Sequence, residues 1–425
     1  MAVLLASCGG QPAQGPGQSG GNPESPSGSS GGTESGSAAG EPIRIGLLVP
    51  LTGVFAAPGQ YMKEGFELWL KEVNNQVAGR PVEVVTADTQ GNPDVALTQA
   101  RRLVEQEKVH LLVGPLSAAE GLALVPYIDG VRIPSIYPIV SADDLTQRKI
   151  PKYVVRTGWT SSQTTHVLGD YAYKKLGYRR VAIIAYDFAF GWESVGGFMQ
   201  TFQEAGGKVV KVIWTPLNTT DFSPYLSQIP KDVDAVFASF SGSAAIQFIQ
   251  QYKRFGLTAP LIAQGNTTDE STLEQTGPEA VGIVTALHYS AALDTPANKA
   301  FVEAYTKAFG HVPSYYSEGT YVAGLVLQQA LEQLRGDVSD PDAVVKALRS
   351  VQLSETPRGP YRFDNYGNPI QNVYIRKVEQ VNGKLQNTVI DVVQNVSQFW
   401  TYDPKEYLQR PVYNRGVPEC NACGG

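Results

Sequence analysis

The chain has 425 residues, of which 42% are hydrophobic and 10% aromatic, so it suits two folded domains better than one. Its formal net charge of −6 argues against a nucleic-acid partner, which would require a basic surface. No apolar run in the sequence approaches the roughly 18–20 residues that cross a bilayer as a helix.

The chain begins with a candidate lipid-attachment site. Cys8 follows small residues in a stretch that looks like a bacterial lipobox, so we predict cleavage before Cys8 and its lipidation. An ordinary cysteine in an N-terminal segment is the alternative. Residues 1–8 would then be the remnant of a signal peptide, although Met1–Ser7 lacks a basic region and is short for one. We therefore expect either an upstream start or a trimmed chain.

Residues 9–41 are rich in Gly, Ser and Pro. Such a segment has too little apolar surface to offset the entropy lost on ordering, so we predict a disordered linker. An anchor followed by a flexible linker and folded domains predicts a protein held at a membrane surface.

A repeated alternation of strands and helices follows the linker. Ile43–Pro50 is largely apolar, as expected for a parallel strand covered on both faces. In the next helix, Met62, Phe66, Trp69 and Val73 fall on one face. This pattern predicts a parallel sheet with right-handed crossovers. Further strands are predicted over Pro81–Asp88, His110–Gly114 and Ile133–Tyr137, with helices over Asp94–Gln106 and Ala118–Ile128.

A second series of the same kind starts after Thr157, and helices and a hairpin follow it. The hairpin is predicted from Val373–Val378 and Leu385–Val393, joined by the turn residues Asn382 and Gly383. The other predicted strands are Val181–Tyr186, Lys208–Trp214, Ala235–Phe240, Pro260–Ala263, Gly282–His288 and Arg362–Asp364. The predicted helices are Ser162–Leu176, Trp192–Ala205, Ala244–Phe255, Pro296–Phe309, Tyr315–Gln333 and Pro341–Ser350.

Ligands of open parallel sheets bind beyond the carboxyl ends of the strands. We therefore expect the ligand site among the residues that follow the predicted strands. These are Leu51–Gly53, Gly114–Ala118 and Tyr137–Ser141 in the first series, and Asp187–Gly191, Ser239–Gly242 and Gln264–Asn266 in the second.

Several segments together resemble one family. IGLLVPLTG, VGPLS, IPSIYP, YVVRTGWTSSQ, DFSPYLSQI and PANKAFVEAYTKAFGHVPS are similar, in order, to the branched-chain amino-acid-type solute-binding proteins of ABC transporters. These are type I periplasmic binding proteins, and the resemblance extends from Ile43 to Val393. It implies an α/β fold of two Rossmann-like lobes with parallel-sheet cores, joined by a three-segment hinge in a Venus-flytrap arrangement. Lobe 1 would comprise residues 42–157 and 289–352, lobe 2 residues 158–288 and 353–393, and a C-terminal tail residues 394–425.

The resemblance also implies where a ligand binds, and this chain departs from the pattern. In amino-acid-binding members, a serine after the Gly-Pro turn and a Ser-Ala-Thr-like stretch hold the ligand carboxylate. The serine position looks like Ala118, with Ser117 beside it, and the stretch looks like Ile139–Ser141, which keeps only the last hydroxyl. Gln264–Asn266 offers no carboxylate for an ammonium group, and a tyrosine usual in lobe 2 looks like Phe190.

The departures favour a ligand without an ammonium group, because burying an unpaired ammonium costs several kcal/mol. We expect a small aromatic or apolar carboxylate or amide, since aromatic side chains stack well on a flat ligand. Two alternatives stay open: the aromatic residues only pack in the hinge or core, or Asp187 or Glu193 restores an amino-acid site. The predicted ligand-binding residues are Phe55, Ser117, Ala118, Tyr137, Val140, Ser141, Trp159, Phe188, Phe190, Gly265 and Asn266.

Catalysis is not expected. The four histidines are scattered, and the sequence has no metal-ligand spacing, phosphate loop or nucleophile elbow. We predict no cofactor and no metal. Cys420 and Cys423 are predicted to form a small disulfide in an exported protein, with a C-x-x-C redox or metal site as the alternative.

The predicted partners are a small-molecule solute and an ABC permease with its ATPase subunits. The predicted location is extracytoplasmic, with membrane contact only through the lipid anchor. A ligand-binding sensor subunit that signals to a membrane partner is the competing function, since the same fold permits it.

Overall fold

The computed structural model describes residues 40–423 and contains two β-sheets. The strands of the first sheet are β1 (Ile43–Val49), β2 (Gln76–Val77), β3 (Arg80–Asp88), β4 (Leu111–Val113), β5 (Ser135–Tyr137) and β6 (Val154–Arg156). They lie in the order β2-β3-β1-β4-β5-β6 and are parallel except for β2, which is antiparallel to β3. The helices between them are α1 (Ala56–Glu72), α2 (Pro93–Glu105) and α3 (Ala118–Val131).

The second sheet is built by the same alternation. Its helices are α4 (Ser161–Lys174), α5 (Ala189–Glu204), α6 (Ser223–Leu226), α7 (Gly242–Arg254) and α8 (Glu270–Thr276). Its parallel strands are β7 (Arg180–Tyr186), β8 (Lys208–Thr215), β9 (Ala235–Ser239), β10 (Leu261–Gln264) and β11 (Val284–Leu287), in the order β11-β10-β9-β7-β8.

The chain then returns to the first sheet before it ends on the second. The returning helices are α9 (Pro296–Phe309), α10 (Tyr315–Gln333) and α11 (Pro341–Ser350), where α10 packs on α1 and α11 contacts β6. The strands that follow are β12 (Gln352–Leu353), β13 (Tyr361–Phe363), β14 (Pro369–Val381) and β15 (Lys384–Val396), and β14 pairs antiparallel with β11. The last helix is α12 (Pro404–Gln409).

The chain thus passes between the sheets three times, after β6, after β11 and after α11. The predicted α/β fold of two parallel-sheet lobes with a three-segment hinge is confirmed. We use lobe 1 for the first sheet with α1–α3 and α9–α11, and lobe 2 for the second sheet with α4–α8.

Burial explains why these segments form strands and helices. Five residues of β1 are fully buried, Ile43, Ile45, Leu47, Leu48 and Val49, because helices cover both faces of a parallel sheet. On the predicted face of α1, Met62, Phe66 and Trp69 are at most 1% exposed, whereas Val73 follows the last residue of the helix and is half-buried. The regularly spaced apolar residues in the sequence of β1 and α1 therefore lie on the buried faces of these elements.

The hairpin turn forms as predicted and its strands are longer than predicted. Asn382 and Gly383 have φ of 51° and 80°, the left-handed conformation that a two-residue hairpin turn requires. Since β15 continues to Val396, residues 394–396 belong to this hairpin, and the predicted start of the tail at residue 394 is corrected to residue 397.

A buried ion pair joins the segments of the hinge. The guanidinium of Arg358, in the loop before β13, donates to both carboxylate oxygens of Glu318 on α10, at 2.7 and 2.6 Å. Both side chains are fully buried. Arg358 also donates to the carbonyl of Thr157 at 3.4 Å and to Oε1 of Gln371 at 3.2 Å. One side chain therefore contacts lobe 1, the first hinge segment and lobe 2.

The tail, residues 397–423, packs on lobe 2 and reaches lobe 1. Gln398 exchanges hydrogen bonds with Thr146 of lobe 1, at 2.8 and 3.2 Å. The Tyr413 hydroxyl lies 2.9 Å from Nε2 of His166 on α4. Cys420 and Cys423 are joined by a disulfide in the structure. Cys8 and the predicted linker up to residue 39 lie outside the described residues.

We expect the Glu318→Gln variant to lose about 3–5 kcal/mol of unfolding free energy, because it leaves the buried Arg358 guanidinium without a counter-charge. Urea unfolding monitored by circular dichroism measures this loss. The matched control is Asp294→Asn, which removes the exposed carboxylate paired with Lys299 and should leave the midpoint unchanged. Equal midpoints for the two variants would contradict the structural role of the buried pair.

Candidate functional site

A cavity with an empty volume of ≈ 310 Å³ lies between the two lobes, and we call it the interlobe cavity. None of the side chains that line it is charged. It brings together eight of the predicted ligand-binding residues: Phe55, Ser117, Ala118, Ser141, Trp159, Phe188, Phe190 and Asn266. Five further residues line it. Leu116, Ile139 and Ser241 lie in the predicted strand-end segments but were not among the predicted ligand-binding residues, whereas Tyr315 and Tyr316 lie outside those segments.

Lobe 1 contributes hydrogen-bond donors from the beginning of α3. Ser117 caps this helix, since its Oγ accepts the N–H of Glu120 at 3.2 Å and the Glu120 carboxylate accepts the N–H of Ser117 at 2.9 Å. The hydroxyl proton of Ser117 therefore remains available for a ligand. The helix end at Ala118 adds the partial positive charge of the helix dipole. These groups suit an anion.

Ser141 adds a second hydroxyl after β5. Its Oγ lies 2.9 Å from Oγ of Ser161, the first residue of α4, and its carbonyl accepts the N–H of Ser161 at 2.8 Å. Ser141 belongs to lobe 1 and Ser161 follows the first hinge segment. The hydroxyl at the cavity is thus held by the same contact that joins the lobes.

Lobe 2 contributes a carboxamide that meets two phenols. Nδ2 of Asn266 donates to the hydroxyl of Tyr315 and, at 3.4 Å, to that of Tyr316, both at the beginning of α10. Among residues 40–423, Oδ1 of Asn266 is buried and has no hydrogen-bond partner. Burial raises the pKa of Tyr315 and Tyr316 above the ordinary range, so both phenols remain neutral donors. This group is polar but uncharged.

Aromatic rings form the walls between these polar groups. The Trp159 ring meets Phe190 edge-on at a centroid distance of 6.4 Å and Tyr315 at 6.2 Å. Phe188 lies 6.1 Å from Phe190. Such walls favour a flat, apolar ligand body, because aromatic groups pack by offset stacking and edge contacts.

Three predicted ligand-binding residues, Tyr137, Val140 and Gly265, do not line the cavity. The hydroxyl of Tyr137 donates to the carbonyl of Gly121 at 3.0 Å, so its ring lies under α3. Val140 also packs against Gly121, where a Cβ would be 2.5 Å from its side chain. The carbonyl of Gly265 accepts from Arg376 at 2.7 Å. Val140 and Gly265 are each next to a lining residue in the chain, and Tyr137 is two residues before Ile139.

The two carboxylates considered for an amino-acid site also lie outside the lining. Asp187 accepts the indole N–H of Trp192 at 2.9 Å and lies 3.5 Å from Arg415 of the tail. Glu193 accepts the N–H of Asp143 at 3.0 Å. Neither places a carboxylate in the interlobe cavity.

The lobes touch at the edge of the cavity. The N–H of Ser243, on α7 of lobe 2, donates to the carbonyl of Val54 in lobe 1 at 3.2 Å. Gly242 makes this approach possible, since a Cβ there would be 2.3 Å from the same carbonyl oxygen. The structure is therefore the closed form of a two-lobed protein.

Comparisons with known proteins agree with this geometry. Residues 42–384 match the family described as periplasmic binding protein. The chain belongs to this family. It is 32% identical to Leu/Ile/Val-binding protein homolog 6 of Brucella melitensis over 356 residues, which cover 81% of this chain and 90% of that protein.

Two solved structures are similar over most of the chain. One is an ABC transporter substrate-binding protein from Sphaerobacter thermophilus, with a TM-score of 0.78, 34% identity, and coverage of 84% of this chain and 99% of that one. The other is a solute-binding protein of an ABC transporter from Rhodopseudomonas palustris BisB5 in complex with 3,4-dihydroxybenzoic acid, with a TM-score of 0.80, 32% identity, and coverage of 84% and 98%.

The family defines the general function. The chain is a substrate-binding protein of the ABC-transporter type, not an enzyme, and the predicted resemblance to the branched-chain amino-acid type is confirmed. Its family implies a location outside the cytoplasm. Within residues 40–423, no helix is both long and apolar enough to cross a membrane. In the same residues, no group of three or more His, Cys, Asp or Glu side chains is placed to hold a metal ion.

We expect the Gly242→Ala variant to favour the open form, because its Cβ would collide with the carbonyl of Val54 when the lobes close. Small-angle scattering should show a larger radius of gyration than for the unmodified protein. The control is Gly256→Ala, which introduces similar backbone strain at a φ of +81° but places its Cβ in open space. If both variants keep the same radius, this contact does not limit closure.

Proposed function

We propose that this protein binds a small aromatic carboxylate of the benzoate and hydroxybenzoate class in the interlobe cavity and delivers it to an ABC permease with its ATPase subunits. The observation that carries the proposal is a cavity with aromatic walls and no charged side chain. Its polar groups come from both lobes, so a ligand of this class is recognised by both.

The donors of lobe 1 suit the carboxylate of such a ligand. The hydroxyls of Ser117 and Ser141 and the first N–H groups of α3 converge on the cavity wall without a competing carboxylate in the lining. Hydrogen bonds to a charged acceptor contribute about 1.5–3 kcal/mol each, so these neutral groups are sufficient for an anion.

The group formed by Asn266 of lobe 2 with Tyr315 and Tyr316 of lobe 1 suits a neutral polar substituent on the ring. Oδ1 of Asn266 accepts, and the hydroxyls of Tyr315 and Tyr316 both donate and accept, as a phenolic hydroxyl requires of its partners. The similar R. palustris protein is in complex with 3,4-dihydroxybenzoic acid, which carries such hydroxyls.

A branched-chain amino acid is the second candidate, because the similar Brucella protein is named a Leu/Ile/Val-binding protein homolog. Its ammonium group would need a carboxylate or several carbonyl acceptors in the closed cavity. The lining supplies the amide oxygen of Asn266 but no carboxylate. Because an unpaired buried ammonium costs several kcal/mol, the cavity favours the aromatic acid.

Closure links binding to transport in this proposal. A ligand stabilises the closed form only by its higher affinity for that form, which both lobes must therefore contact. The permease would then receive the closed, loaded protein. We further propose that Cys8 carries the lipid that keeps the protein near the permease, as the small residues before it suggest.

A ligand panel tests the proposal. The protein is prepared without residues 1–8, which precede the linker. Its thermal unfolding is measured with benzoate, 4-hydroxybenzoate, 3,4-dihydroxybenzoate, leucine, isoleucine and valine. A ligand at about 100 times its Kd adds about 2.7 kcal/mol of stability, which raises the unfolding temperature. We expect a shift with the aromatic acids and none with the amino acids. A shift only with leucine, isoleucine or valine would overturn the proposal.

The Ser117→Ala variant tests the carboxylate contact. We expect about tenfold weaker binding of 4-hydroxybenzoate by calorimetry, because a hydrogen bond to a charged group is lost. Its control is Thr295→Ala, which removes an equivalent helix cap at α9, where Oγ1 accepts from Asn298 at 3.2 Å. Both variants lose cap stability, but only Ser117→Ala should lose affinity. Equal affinities would place the carboxylate elsewhere.

A further inference from the structure

A second cavity lies where the tail crosses from lobe 2 to lobe 1, and we call it the tail cavity. Its empty volume is ≈ 1020 Å³, against ≈ 310 Å³ for the interlobe cavity. Side chains from lobe 1, from α5 and from the tail line it. The six that matter here are Asp143, Gln147, Glu193, Tyr407, Arg410 and Tyr413.

Two buried carboxyl groups from different lobes form the floor of the tail cavity. Asp143 lies in the loop after β5 and is 3% exposed, and Glu193 lies on α5 and is 5% exposed. One oxygen of each is used: Oδ1 of Asp143 accepts the N–H of Ser162 at 3.2 Å, and Oε1 of Glu193 accepts the N–H of Asp143 at 3.0 Å. In the part of the chain that the structure describes, their second oxygens are buried without a partner.

The cations near this floor do not donate hydrogen bonds to its two carboxyl groups. The guanidinium of Arg156, also buried, donates to backbone carbonyls and a threonine hydroxyl. Arg148 pairs with Asp144 at 3.0 Å, and Nη1 of Arg410 lies 3.7 Å from Glu204 without a hydrogen-bond partner in residues 40–423. Burial raises the pKa of both floor carboxyls, because their ionised forms lack full compensation. A cation placed between them would supply it.

Other lining groups restrict the kind of cation. Nε2 of Gln147 is buried and has no partner among residues 40–423, while its Oε1 accepts from Arg148 at 3.0 Å. The free amide N–H therefore suits a hydrogen-bond acceptor on the ligand. Tyr407 and Tyr413 add aromatic surface, which attracts organic cations.

We propose that the tail cavity is a second ligand site, which binds a small primary ammonium compound that also carries a hydrogen-bond acceptor. The ammonium group lies between Asp143 and Glu193, and the acceptor faces Gln147. Because the two carboxyls belong to different lobes, the bound cation joins lobe 1 to α5 of lobe 2. By linkage, it therefore strengthens ligand binding in the interlobe cavity.

Calorimetry with ethanolamine tests the site, with ethylene glycol as the uncharged analogue. We expect ethanolamine to bind and ethylene glycol not to bind. The Glu193→Gln variant keeps the acceptor for Asp143 but loses the charge, so its affinity for ethanolamine should fall about tenfold. The matched control is Asp269→Asn, a carboxyl that is 1% exposed with an oxygen lacking a partner in the described chain, but that lies outside this cavity. It should bind ethanolamine as the unmodified protein does.

Hydrogen exchange of the unmodified protein localises the ligand without a variant. Ethanolamine should slow exchange in residues 143–148 and in the first turns of α5. Protection confined to the residues that line the interlobe cavity would overturn the proposal. No binding to the unmodified protein, or an equal loss in both variants, would also overturn it. None of these outcomes depends on which ligand the interlobe cavity takes.

Discussion

The buried ion pair between Arg358 and Glu318 is the interaction on which the two-lobed structure depends. A buried guanidinium needs a counter-charge and hydrogen-bond acceptors, and here they come from α10, from the first hinge segment at Thr157 and from Gln371 on β14. The same residue therefore fixes the position of three parts of the chain that are far apart in sequence. Because these contacts are at the hinge, they keep the lobes joined while the cavity edge opens and closes.

The interlobe cavity shows the opposite use of charge. Its lining has hydroxyls, one amide, phenols and aromatic rings, while the buried carboxyls nearby are directed elsewhere, such as Glu193 toward Asp143. An uncharged lining makes the ligand supply its own charge and so selects against zwitterions, whose second charge has no partner there. Under the proposed function, polar groups without charge are the physical basis of ligand selectivity.

The rule that ligands bind at strand ends explains how much of the site was predictable. Ser117, Ser141 and Asn266 follow β4, β5 and β10, and parallel strands bring such ends together. The rule does not say which of two neighbouring residues faces the cavity, so Val140 was predicted and Ile139 was missed.

The tyrosines of α10 escaped the sequence analysis for a different reason. Tyr315 and Tyr316 begin a helix of the segment that returns to lobe 1 after β11, and they do not follow a strand directly. Their signal in the sequence was the pair of tyrosines directly after Ser314, which caps the helix. Only the three-dimensional return of the chain places that helix end at the cavity. The fold itself was predictable because the spacing of apolar residues that is typical of strands and helices repeats along most of the sequence.

The origin of the polar groups on opposite lobes has one more consequence, which concerns the length of the ligand. Under the proposed function, a molecule that contacts only the lobe 1 residues of the cavity has the same affinity for the open and closed forms and leaves their ratio unchanged. A molecule that spans the distance shifts that ratio. Binding in the cavity therefore depends on the chemistry of the ligand, and closure of the lobes depends on its length. A short ligand can bind to the protein without producing the closed form that a transporter recognises.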